Sequence, residues 1–533
     1  MAAQDFSSPG QGQQNKVGTG SPLPSGQTGE PSSKISGSVP IASQSPPAVP
    51  PPPPATQTLP PMPTPGKGQA EPEVTGGSAE NQGKQPEQPI TEVATPPPPK
   101  KGFPKIIVVL LFLLVILGGA YLLAKNFLFK EAPGGKVNLT WWGLWEEDAA
   151  VAQIIDDYER VNPNVKITYQ KQAQQDYRER LTNVLAAGEG PDIFRFHNSW
   201  VPMFRKELDA LPSSVMSQAE FTQTFYPVAL ADLRVGGDIV GLPLEYDGLV
   251  LYVNEEIFEA SVKTPPTTWD ELRKTATDLT IKDEQGLIKQ AGIALGRTEN
   301  VDHWEEILAL MMLQNGVNLA NPQGDLAEDA LRFFTLFSST DEVWEASLPP
   351  STVAFATGKL AMYIGPSWRA FEIQNINPGL KFRTYPVPQL PKASPDEADI
   401  TYATYWVEGV WARGENRQAA WDFLNYLVQR ETLEKFYKAA SSLRLFGEPY
   451  PRVEMAELLI DHPILGAIIE QAIYAQSWYL ASRTFDGPTG INSQISSYFE
   501  DAVNAVNTRQ RVDKALETSA VGISQVLSQY QIR

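Results

Sequence analysis

Residues 106–124, IIVVLLFLLVILGGAYLLA, run for nineteen positions without a charged side chain. That is long enough to cross a bilayer as a helix, and it separates two parts of the chain with little in common. Residues 1–100 hold 23 of the 46 prolines and a single aromatic residue, Phe6, whereas all 12 tryptophans lie beyond residue 140. A secretory signal would stand at the N-terminus with a shorter apolar core, so an uncleaved membrane anchor is expected at 104–130. The flanking lysines, Lys100, Lys101 and Lys105 against Lys125, Lys130 and Lys136, nearly balance and do not set its orientation. The Pro/Gly/Ser/Gln-rich stretch 1–103 offers too little apolar surface to offset the entropy of ordering. It reads as a disordered, locally polyproline-like tail, with a proline-recognising partner as the alternative.

The remaining residues, 131–533, form the globular part. They carry 55 acidic and 34 basic side chains, a net charge of −21, which repels phosphate backbones and argues against a nucleic-acid partner. The absence of cysteine excludes disulfides, thiolate metal sites and a cysteine-attached lipid anchor. Three histidines far apart in sequence make a zinc site unexpected. No cofactor and no metal are expected, and a monomer is.

From Val137 onward the pattern is α/β. Val137, Leu139 and Trp141 alternate with polar residues as in a strand. Val151, Ile154, Ile155, Tyr158 and Val161 recur at helical spacing, and Asn162-Pro163 stops that helix. Residues 165–170 alternate again. Tyr177, Leu181, Val184 and Leu185 make a second helical stripe ending at Gly188, and 192–196 is the next strand. This order predicts βαβ units with a parallel sheet. Thr268-Trp269-Asp270-Glu271 is a capping box. Helical patterns dominate 304–337 and 419–440.

Common enzyme signatures are missing: there is no GxSxG elbow, no phosphate loop and no HExxH in the globular part. What stands out is aromatic residues beside polar ones at expected strand ends. These are Trp141-Trp142-Gly143-Leu144-Trp145-Glu146, His197-Asn198-Ser199-Trp200, Tyr246-Asp247, Ser367-Trp368-Arg369 and Tyr405-Trp406. Ligands of open α/β sheets bind beyond the carboxyl ends of strands. Aromatic faces there can stack on a pyranose while carboxylates, amides and guanidinium groups bond its hydroxyls. Trp141, Trp269, Trp411 and Trp421 fit strand or helix patterns and read as core. Glu146-Glu147-Asp148 can equally favour the start of a helix, and His197 and His303 can each be satisfied structural residues.

Several stretches together resemble the extracellular solute-binding proteins of ABC transporters, family 1, which includes maltose-binding protein. They are LTWWGLWEE, GEGPDIFRFHNSW, GLPLEYDGLVLYVNEEIFEA with PPTTWDEL, VAFATGKLAMYIGPSW and AAWDFLNYL, in order across nearly 400 residues. The resemblance implies an α/β, two-lobed periplasmic-binding-protein type II fold that closes about a hinge and delivers its ligand to a membrane permease. It also implies that the globular part lies outside the cytoplasmic membrane and the tail inside. The expected lobes are 137–245 with 405–447, and 246–404 with 448–533. Carried over by position, the ligand contacts are Trp145 and Glu146, His197, Asn198 and Trp200, the lobe-crossing Asp247, Trp368 with Arg369, and Tyr405 with Trp406, with Trp304 added. Two departures stand out. Ser199-Trp200 replaces the acidic–basic pair of maltose binders, and the helix at 106–124 replaces the lipidated cysteine.

The leading reading is a membrane-tethered, substrate-binding subunit of a carbohydrate importer without enzymatic activity. An uncharged sugar or oligosaccharide is expected, because these loops contain only Arg195 and Arg369 as bases. Two rivals remain: a surface glycoside hydrolase with Glu146 and Asp247 as its carboxylate pair, and a sensor or adhesin ectodomain on the same fold.

Overall fold

The computed structural model describes residues 135–392, 394 and 396–532. The expected tail at 1–103 and membrane helix at 104–130 lie outside the described residues. No helix among the described residues is long and apolar enough to cross a membrane.

Fourteen strands are found among the described residues. The first three are β1 (Val137–Gly143), β2 (Val165–Lys171) and β3 (Ile193–His197). A short hairpin follows, β4 (Arg234–Val235) with β5 (Asp238–Ile239), then β6 (Leu242–Pro243), β7 (Leu249–Asn254), β8 (Ile281–Lys282) and β9 (Ile288–Ile293). The rest are β10 (Leu360–Pro366), β11 (Phe382–Tyr385), β12 (Thr401–Tyr402), β13 (Trp406–Val410) and β14 (Ala475–Gln476).

Two five-stranded sheets organise the molecule. The first has the order β2-β1-β3-β13-β6 and the second β11-β7-β10-β9-β8. In the first sheet, β1 pairs parallel with both β2 and β3, as the alternation of strand and helix predicts. The intervening helices Asp148–Val161 and Tyr177–Ala187 supply the crossovers. β13 returns antiparallel between β3 and β6, placing Trp406 opposite His197. In the second sheet β10 pairs parallel with β9 and antiparallel with β7. β3, β7 and β10 are buried along their whole length, as strands covered on both faces are.

Local chemistry explains most of these elements. Ala150, Val151, Ile154, Ile155 and Tyr158 bury one face of the first helix. Val161 does not join them and is 69% exposed, because the chain turns away at Asn162. The capping box at Thr268 and Glu271 is formed in both directions. The helical stretch 304–337 is two helices, Trp304–Gln314 and Asp325–Ser339, separated where Gly316 and Gly324 take positive φ. The stretch 419–440 likewise divides into Arg417–Leu427 and Arg430–Ser441. Trp141, Trp269, Trp411 and Trp421 are all buried.

The chain leaves the first sheet for the second through Leu244–Gly248 and comes back through Ala403–Tyr405. These passes lie side by side: Thr404 donates its N–H to the Asp247 carbonyl at 3.0 Å, and Gly248 bridges Ala403. A Cβ at Gly248 would stand 2.4 Å from the Tyr402 carbonyl oxygen, so only glycine lets the two backbones approach this closely. The expected third crossing at 447/448 is displaced. Pro449 and Pro451 accept N–H bonds from Tyr246 and Tyr226, and Arg452 bridges Phe225. Residues 449–458 therefore stay with the first lobe, and the passage follows Leu458, before the helix Gly466–Gln471 packs on β7 and β11. The two last helices, Ile491–Asn507 and Val512–Gln529, pack against Asp325–Ser339 of the second lobe.

Candidate functional site

Where β1, β3 and β10 end and β13 begins, near the crossing segments, lies a cavity of about 270 Å³. Five expected residues line it: Trp145, His197, Asp247, Trp368 and Trp406.

One wall is aromatic. The Trp145 and Trp406 ring centroids are 5.4 Å apart at 77°, and Phe485 lies 6.0 Å from the first and 6.3 Å from the second. Trp145 follows β1 and Trp406 opens β13, so two strand ends place the indoles, while Phe485 arrives on a loop from the second lobe. That loop is backbone-strained: Arg483 and Phe485 have φ of 54° and 53°, a region non-glycine residues seldom occupy. Asn492 fastens the loop by donating to the Ser199 hydroxyl at 2.8 Å. Trp368 and Phe371 face the cavity from the second lobe. The Arg369 guanidinium sits 4.5 Å from the Trp368 ring centroid, and His303 meets that ring edge-on at 5.4 Å.

Asp247 joins the crossing segment to the end of the second sheet. Its Oδ1 accepts from the Gly248 and Ser367 N–H groups at 2.7 and 3.0 Å, and its Oδ2 from the Ser367 hydroxyl at 2.8 Å. Burial pushes its pKa up to about 7 despite these bonds. His197 accepts the Ser199 N–H at Nδ1 (3.3 Å), and its Nε2 lies 3.0 Å from the Thr404 hydroxyl. Burial lowers its pKa to about 3, so it is a neutral, fully engaged ring.

Below the aromatic wall lies a charge network in which Glu146 is the one member of the expected set. Arg195 Nη1 is 2.7 Å from both oxygens of Glu146, and its Nε and Nη2 reach Glu408 at 2.8 and 2.6 Å. Burial works against charge on Glu146, and Arg195 overcomes it and holds the carboxyl below its ordinary range. Burial raises Glu408 to about 7. Glu245 is pushed well up by burial and by neighbouring Glu448, which in turn pairs with Arg444. Carboxylate oxygens of Glu146, Glu245 and Glu448 lie within 4.8 Å of one another. Arg195 and Arg444 already neutralise two of the three, which leaves the trio poorly suited to a cation.

Six expected contacts are placed elsewhere. Glu146 is held by Arg195 beneath the cavity. Trp200 is fully buried behind Trp406 and stacked between Tyr177 and Phe204. Asn198 and Tyr405, each just outside the end of its strand, both turn to Asp232, at 2.9 and 2.8 Å. Trp304 packs in its helix, 5% exposed. Arg369 donates to His303 Nε2 at 2.7 Å and pairs with Asp302 and Glu372. The lining residues the sequence did not single out include Glu245, Glu306, Arg444, Glu448, Arg483 and Phe485. Glu245, two positions before Asp247 on the crossing segment, carried a signal; Phe485, on an irregular loop, carried none.

This geometry can grip a flat, hydroxylated molecule against aromatic faces. Comparison with known sequences places the chain. The profile of the bacterial extracellular solute-binding proteins matches residues 153–444, more than half of its length. The chain belongs to this family. Among relatives of this solute-binding protein, a binding protein of Brucella abortus is 24% identical over 327 residues, 58% of this chain and 76% of its own length. The multiple sugar-binding protein of Streptococcus mutans is 23% identical over 326 residues, 58% and 74% of the two chains. The solved structure of a cyclic α-maltosyl-1,6-maltose binding protein from Arthrobacter globiformis superposes with a TM-score of 0.61 at 19% identity, covering 74% of this chain and all of the other. That likeness shows a shared fold.

Proposed function

We propose that this solute-binding protein captures a carbohydrate in the cleft between its lobes and hands it to the permease of an ABC importer. The observation that carries the reading is the pairing, in one cavity, of the Trp145–Trp406–Phe485 wall with the buried Asp247 carboxylate at the lobe crossing. A pyranose has apolar C–H faces that stack on indoles and equatorial hydroxyls that need planar acceptors. Relatives whose names specify a sugar support the same class. The test is a thermal-shift screen of mono- and oligosaccharides, since a ligand of the folded state raises the melting temperature. A rise with sugars and none with amino acids or peptides is expected; the reverse would sink the reading.

The same proposal has residues 106–124 anchor the protein, with the tail in the cytoplasm and residues 131–533 outside. Their uncharged length supports this. Protease added to intact cells should remove the globular part and spare the tail. The Glu146–Asp247 pair of the hydrolase alternative is not assembled in the cleft, because Glu146 is turned to Arg195 and only Asp247 lines the cavity.

A further inference from the structure

The cavity's acidic side chains outnumber its basic ones. Four carboxylates line it, Glu245, Asp247, Glu306 and Glu448, against two guanidinium groups, Arg444 and Arg483. Arg444 is taken by Glu448, and Arg483 stands 3.8 Å from Asp302 outside the lining. No Lys or Arg among the described residues is within ion-pair distance of Glu245, Asp247 or Glu306.

Glu306 is the most informative of the three. It is 1% exposed. Its Oε1 is satisfied by the Ser482 N–H at 2.7 Å and hydroxyl at 3.0 Å, but its buried Oε2 has no partner within hydrogen-bond distance. The nearest base is His303, whose Nδ1 is 3.6 Å away. Arg369 donates to the other ring nitrogen of His303, which keeps that imidazole neutral. A buried carboxylate oxygen without a donor is costly, and a ligand can supply what the protein does not.

We infer that the ligand is a sugar bearing a protonated amine, whose ammonium meets Glu306 in a cavity that Asp247 also lines, while its ring lies against the tryptophans. This rests on the carbohydrate reading above and narrows it. A neutral hydroxyl can donate to Glu306 but leaves its charge uncompensated, whereas an ammonium does both. The wall of Trp145, Trp406 and Phe485 favours the same ligand, because aromatic faces attract cations. An anionic sugar meets repulsion from the Glu306 carboxylate. The scarcity of bases in the sequence excluded an anionic ligand; the structure adds a surplus of acids.

The experiment is calorimetry on the full-length protein at neutral pH with three matched series: glucosamine and its β-1,4 dimer, their N-acetylated forms, and glucose with cellobiose. The amine form should bind at least about tenfold more tightly than either neutral counterpart, the step expected of a charge-assisted hydrogen bond. Glu306→Gln and Asp247→Asn should each shrink that preference while circular dichroism stays native. Equal or tighter binding of a neutral form, or a preference unchanged in both variants, overturns the inference and leaves the carbohydrate reading standing. Absence of heat with all three series and with a wider set of neutral sugars overturns both.

Discussion

Trp406 shows why a ligand contact and a core residue are hard to separate. It is 9% exposed, with one face toward the cavity and its edges against Trp200, His197 and Trp145. Trp406→Ala should therefore weaken binding and also lower the melting temperature, since truncating a packed tryptophan costs about 3–5 kcal/mol. Trp145, only half-buried, is the cleaner probe. Trp145→Ala should reduce affinity by about tenfold, as expected for one lost stacking face, with little change in thermal unfolding. Asp247 adds a dependence on pH. The unfolded carboxyl loses its proton near pH 4 and the folded one near 7. Between those values the native state holds a proton that the unfolded chain does not, so stability is fully present below about pH 4 and falls as pH rises through 7. Glu408 acts in the same direction. Thermal unfolding of Asp247→Asn from pH 4 to 8 should show a shallower decline than the parent protein; an identical slope would mean that Asp247 does not titrate in that window.

At the scale of elements, the pairing of β3 with β13 decides what the cleft floor can be. The register sets Arg195 opposite Glu408, and Glu146 folds back from the end of β1 onto the same guanidinium. Removing one member of such a buried network is more damaging than never having had it, because the remaining charges keep their desolvation cost. Arg195→Met should destabilise the protein by about 3–5 kcal/mol in urea unfolding. A triple variant that also makes Glu146 and Glu408 glutamine should recover part of that loss. The loop carrying Arg483 and Phe485 works differently. It belongs to the second lobe in sequence, yet Thr489 accepts a bond from Arg178 and Asn492 donates to Ser199, both in the first lobe. Its left-handed residues are held by tertiary contacts, and no local pattern announces them.

For the whole molecule, two sheets joined by close-packed crossings imply closure about the Tyr246–Gly248 and Ala403–Tyr405 passes, where Gly248 has no room for a side chain. The chain has no cysteine, so Gln175→Cys and Ile376→Cys, one exposed position on each lobe, can carry spin labels uniquely. Ligand should shorten and narrow their distance distribution; an unchanged distribution would mean a cleft that binds without closing. Much of this architecture was legible in sequence, because period-two and period-3.6 burial is a local property: β1, β2, β3, their two helices and the Thr268 capping box follow directly from side-chain order. So were Trp145, His197, Asp247, Trp368 and Trp406, which stand at strand ends or on the crossing segment. Tertiary structure alone decided which side of each strand met the cleft. Asp232 draws Asn198 and Tyr405 away, Trp200 lies a layer behind Trp406, and Arg195 draws Glu146 under the floor. It alone brought Glu306, Arg444 and Phe485 to the cavity from distant segments. Side-chain alternation specifies that a residue is buried; only the packing of one lobe against the other specifies what it is buried against.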